Sequence, residues 1–151
     1  MKKILSIAMA LLLAGCVTVK IPKYLQDEFP YKKQYFHNFD DTLAATTKAL
    51  ENLGWRISET THPSVFEHGP DTQESGPRQV LIFTEVRQTP LILSSRYMSL
   101  NVYLKQADGN STDVEIRYVS VMPVLFKSVQ NYKNDSVVYK IFDQISELLE
   151  K

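Results

Sequence analysis

The chain has 151 residues, and its 17 Lys and Arg balance 17 Asp and Glu to a formal net charge of zero. That neutrality leaves no basic footprint of the kind that grips phosphate backbones, which sets nucleic acid aside as a partner. A hydrophobic share of 44% suits one ordinary core, and a single cysteine excludes a disulfide framework.

Lys2 and Lys3 precede an apolar run from Ile4 to Leu13. Spanning a bilayer as a helix takes roughly 20 apolar residues, so this run is too short for a permanent span and reads as a secretory leader over 1–15. The small residues Ala14 and Gly15 then stand directly before Cys16. Leu13-Ala14-Gly15-Cys16 resembles the lipobox of bacterial lipoproteins. The resemblance implies cleavage before Cys16, a diacylglycerol on its thiol and an acylated amine. Several acyl chains, at about 0.8 kcal/mol per buried methylene, turn marginal association into firm anchoring. Val17, not an aspartate, follows Cys16. On the same resemblance the anchor then belongs to the periplasmic face of the outer membrane in preference to the inner membrane.

Residues 16–38 read as a tether that reaches about 70 Å when fully extended. They carry Tyr24, Phe29, Tyr31, Tyr35 and Phe36, unlike the Gly/Ser or Pro-rich composition of a free linker. Aromatic residues at this density pack either on the chain's own domain, expected over 39–151, or on a partner.

Phe39-Asp40-Asp41 opens a helix through Leu53, capped by an aspartate and stopped by Gly54. Trp55 and Ile57 begin a first strand, with Trp55 in the core. Residues 62–78 form a turn-rich loop, and Val80 to Val86 form a second strand. A third strand alternates through Met98, Leu100, Val102 and Leu104, and a fourth through Val114, Ile116 and Tyr118. Strict alternation predicts one buried face and one wet face carrying Ser99, Asn101, Tyr103 and Lys105 with Asp113, Glu115 and Arg117.

The connection Ala107 to Ser111 tests the register. A two-residue Asp108-Gly109 turn would set Leu104 opposite Asp113. A loop of Asp108, Gly109 and Asn110 instead pairs Leu104 with Val114, Val102 with Ile116 and Leu100 with Tyr118. A slip of one residue moves every apolar side chain to water, so the longer loop is expected. Val138, Ile141, Phe142, Ile145, Leu148 and Leu149 then lie on one stripe of a final helix capped by Asn134, Asp135 or Ser136. The expected fold is a single α+β domain: helix, four antiparallel strands, helix, with the helices on one face of the sheet. DDTLAATTKALENLGWRI (residues 40–57) is similar to the opening of helix-grip modules. These occur in accessory lipoproteins of the outer-membrane β-barrel assembly machine, and the pattern extends over 40–150. Those relatives carry two modules behind a long unstructured segment, where this chain has one behind a short aromatic segment.

Sites for chemistry are sparse. His62, Glu67, His68, Asp71 and Glu74 share the turn-rich loop, but no i, i+4 histidine pair fixes a metal geometry, and the loop reads as solvated. Neither a nucleophile elbow nor a phosphate-cradling glycine loop is present, and Asp40-Asp41 reads as a cap. No catalytic residue, metal or cofactor is expected. One feature stands out at the end of the hairpin away from its turn. There Leu91, Ile92 and Leu93 approach Met122, Val124, Leu125 and Phe126, with Pro90 and Pro123 interrupting the ladder. This apolar lip either packs under the final helix or opens as a binding groove. The functional expectation is a non-enzymatic lipoprotein, held to the membrane by its lipid anchor, that binds another envelope protein. The alternative is a lipid or small-ligand binder using an apolar groove between helix and sheet.

Overall fold

The computed structural model describes residues 19–26, 29–67, 76–92, 94–124 and 127–151. Among the described residues seven strands form one antiparallel sheet: β1 (Tyr31–Tyr35), β2 (Ile57–Thr61), β3 (Gln79–Thr84), β4 (Arg87–Pro90), β5 (Ser95–Ala107), β6 (Ser111–Val124) and β7 (Lys127–Asn131). The helices are α1 (Phe39–Asn52), the four-residue α2 (Ser64–Glu67) and α3 (Asp135–Leu149). This corrects the helix–four strands–helix expectation. A strand precedes the first helix, β4 and β7 are additional, and a short helix interrupts the strand series.

The long β5–β6 hairpin is the spine. Its register pairs Leu104 with Val114, Val102 with Ile116 and Leu100 with Tyr118, joined by the three-residue loop with Gly109 at φ 72°. Core burial therefore prevails over the Asp-Gly turn preference. Each spine strand carries two partners in tandem on its outer side. β1 pairs with Thr112 to Ile116 of β6, and β7 with Ser120 to Val124. β3 pairs with Asn101 to Lys105 of β5, and β4 with Ser95 to Met98. β2 completes the β3 side. Because β1 belongs to the sheet, the folded unit starts ahead of residue 39 and includes part of the segment expected to be a tether.

α1 and α3 cover one face. Ala49, Leu50, Ile141 and Ile145 are fully buried against Leu100, Val102 and Ile116. Each large aliphatic side chain removed from water this way contributes about 1.5–3 kcal/mol. The α1 cap differs from the expected aspartate: Asn38 Oδ1 accepts the Asp41 amide at 2.9 Å, while Asp40 is held bidentately by Arg78. Asn134 caps α3 by accepting the Val137 amide at 3.2 Å. Trp55 is buried, with the Arg87 guanidinium 5.5 Å from its ring centroid.

Tyr35 ties β1 to α3, its hydroxyl donating to the Phe142 carbonyl at 2.9 Å. Burial pushes its pKa up from 10 to about 12. A folded pKa above the unfolded one means the folded state holds the phenolic proton more tightly. The resulting stability is complete below pH 10 and is lost as pH rises through about 12. Thermal melts across pH 9–12 are expected to show a falling midpoint with a phenolate absorbance step. Tyr35→Phe should remove part of that fall, because Tyr31, also pushed up to about 12 by burial, loses its proton over the same window.

Candidate functional site

At the end of the spine away from Gly109, two hairpin turns lie side by side. Leu91 N donates to Ser94 O at 2.8 Å to close the β4–β5 turn, and Val124 pairs with Lys127 at the β6–β7 turn. Ser94 Oγ donates to the Pro123 carbonyl at 2.8 Å and staples one turn to the other. Pro90 and Pro123 do not end the ladder. Pro90 pairs with Ser95 at the mouth of its turn, and Pro123 pairs with Ser128 beyond the last β5–β6 partners, Tyr97 and Val121.

Of the expected lip, Leu91 and Val124 are each 41% exposed, Ile92 is fully exposed, and Met122 is half-buried. Leu91, Ile92 and Val124 therefore face solvent and are not covered by α3. Leu93, Leu125 and Phe126 lie outside the described residues, as does Cys16.

The face of the sheet expected to be wet is covered over part of its length, while Lys105 and Asp113 stay exposed as expected. Residues 19–26 run across it as a strap, with Leu25 buried against Val119 and Val121, and with Val19, Ile21 and Tyr132 packed around them. α2 joins the same face: Phe66 stacks on Tyr24 at 5.2 Å between centroids and meets Phe83 edge-on at 5.0 Å. The helices are thus not confined to one face, which further corrects the expected architecture.

Asn101 and Arg117 clamp the strap and Glu115 holds Arg117 in place, and none of the three was singled out from the sequence as a site. Asn101, 1% exposed, accepts the Leu25 amide at 2.7 Å and donates to the Lys23 carbonyl at 3.0 Å. Arg117, 6% exposed, donates to the Leu25 carbonyl at 2.9 Å, the Tyr24 hydroxyl at 3.0 Å and Glu115 Oε1 at 2.6 Å. Glu115 also meets Lys32 Nζ at 3.1 Å. Burial alone would lower the Arg117 pKa, but the Glu115 carboxylate and the Tyr24 hydroxyl outweigh it and hold it above its ordinary value. A permanently charged guanidinium that donates to both strap and carboxylate acts as a fastener.

Beyond the strap the same face holds an open basin of about 460 Å³, lined by Lys32, Lys105, Asp113, Glu115 and Tyr103 among others. Charges of both signs alternate around it and give no single ligand class a preference. His62 is engaged locally: its Nδ1 shares a hydrogen bond with Ser64 Oγ at 2.7 Å at the start of α2. Among the described residues no three His, Cys, Asp or Glu gather as a metal site; His68, Asp71 and Glu74 lie outside those residues.

No protein-family model matches this chain, and no curated protein matches it at a significant level. No helix among the described residues is long and apolar enough to cross a membrane.

Proposed function

We propose that this protein is a lipoprotein anchored through Cys16 at the periplasmic face of the outer membrane, where its α+β domain serves as a non-enzymatic binding module for another envelope protein. The observation that carries the reading is Leu13-Ala14-Gly15-Cys16 set behind Lys2, Lys3 and a short apolar run. The strap supports it, because the segment that follows the anchor is built into the domain and holds the domain close to the point of attachment. A ligand cavity between helices and sheet finds no support: Leu100, Val102, Ile116, Ile141 and Ile145 fill that space at 0% exposure.

Metabolic labelling with an alkyne fatty acid tests the anchor. The natural chain is expected to take up label and sediment with outer-membrane fractions. Cys16→Ala should lose the label and release the domain into the soluble periplasmic extract. Intact-mass measurement of an unmodified, uncleaved N-terminus on the natural chain would sink the reading.

A further inference from the structure

The twin tips sit at one end of the spine, and two independent observations indicate what meets them. The first is where the described chain begins. Val19 and Ile21 pack on the cluster of Leu25, Val119 and Val121, on the upper half of β6. From Val121 to Val124 at the tip is three residues of strand, about 10 Å. From Val19 back to Cys16 is also three residues, a reach of about 10 Å. An anchor on Cys16 can therefore lie level with Leu91, Ile92 and Val124.

The second observation is charge. Residues 86–99 and 119–134, which make up this end of the sheet, contain Arg87, Arg96, Lys127 and Lys133 and no acidic residue, with Glu85 and Asp135 just outside, so the rest of the chain holds 13 of the 17 basic residues against all 17 acidic ones. Arg96 and Lys127 are exposed on the two strands that flank the tips. Exposed aliphatic side chains ringed by cations are suited to an interface whose outer layer is phosphate and whose inner layer is hydrocarbon.

We propose that the two hairpin tips dock into the lipid surface beside the anchor. Leu91, Ile92 and Val124 enter the acyl boundary, and Arg96 and Lys127 meet the phosphates of anionic headgroups. The proposal rests on the lipoprotein reading and deepens it: the lipid anchor and the protein tips grip the same bilayer, which fixes the domain's orientation.

The full-length protein purified from membranes as Ile92→Cys provides the test. With Cys16 consumed as a thioether, the introduced thiol is the one site for a fluorescent maleimide. Asn110→Cys, in the exposed loop at the opposite end of the spine, is the control. In vesicles of phosphatidylethanolamine and phosphatidylglycerol, the probe at position 92 is expected to be quenched by brominated lipid. It should also be at least threefold less accessible to aqueous iodide than the probe at position 110. Adding Arg96→Glu and Lys127→Glu should remove most of that protection. Equal iodide access at 92 and 110, with one dye per chain, overturns the docking and leaves the anchor standing. Two dyes per chain would show Cys16 free, overturning the anchor reading and the docking with it. Protection at 92 in native envelopes but not in pure lipid vesicles would assign the tips to a protein partner and overturn the proposal.

Discussion

Arg117→Ala is expected to cost about 3–5 kcal/mol of folding stability, the range for removing one member of a buried ion pair. The side chain is almost wholly inside, and its loss takes from the Glu115 carboxylate its 2.6 Å partner and leaves it facing Lys32 at 3.1 Å, itself largely exposed. It also leaves the Leu25 carbonyl and the Tyr24 hydroxyl without a donor they now share. Domains of this size are stable by about 5–15 kcal/mol, so such a loss takes a large fraction of the total. The paired change Glu115→Leu with Arg117→Met should cost less than Arg117→Ala alone, because no charge remains buried without a partner. Urea denaturation of the three variants decides it. A shift for Arg117→Ala of under about 1 kcal/mol would mean that the clamp is ornamental to stability.

Leu25→Ala carries the second large effect, about 2–4 kcal/mol, from lost transfer energy and the cavity left beside Val119 and Val121. The measurement has two distinct outcomes. If the strap is part of the cooperative unit, the whole urea transition moves to lower concentration with its slope unchanged. If the strap opens locally, the midpoint stays, and only the Leu25 amide, held now by Asn101 Oδ1, exchanges faster. The first outcome is expected, because Asn101 and Arg117 join the strap to the two central strands of the sheet.

Which parts of the fold could be read from the sequence follows from burial. Val138, Ile141, Phe142 and Ile145 mark α3 because a one-sided helix must repeat its apolar residues at three and four. The β5–β6 register was legible because a slip would carry Leu100, Val102 and Leu104 into water. β4 and β7 were not, since Arg-Gln-Thr-Pro and Lys-Ser-Val-Gln-Asn are exposed at every residue and carry no period. They exist because the spine strands fold back at the tips. β1 alternates as Tyr31, Lys33, Tyr35, but its inward lysine conceals the pattern. Lys33 buries its stem with its ammonium 5.1 Å from the Tyr35 ring and donates to Ser146 Oγ. The supposed wet face misled for a related reason. Asn101, Glu115 and Arg117 look like solvent-facing residues until a strap supplies partners for them. The aromatic density of residues 24–36 signalled that something packs, and alternation alone has no means of naming the surface beneath. Of the expected lip, Leu91, Ile92 and Val124 are exposed, and that exposure depended on the two turns that the sequence concealed.

The clamp also joins distant stretches of chain. Leu25 bonds to Asn101 and Arg117, 76 and 92 residues further on. Synthesis delivers residues 19–35 well before β6. The neighbouring hairpins from β3 to β7 can form among themselves, whereas the strap and β1 must wait for a strand completed long after they emerge. Closing so long a loop is entropically slow. For that interval Tyr24, Leu25 and Tyr31 stay unburied at the leading end of the chain, opposite a sheet face still open at Phe83, Val119 and Val121. The domain is thus sealed late by a part made early, and closure of the strap is the step that buries Leu25 and part of Tyr24.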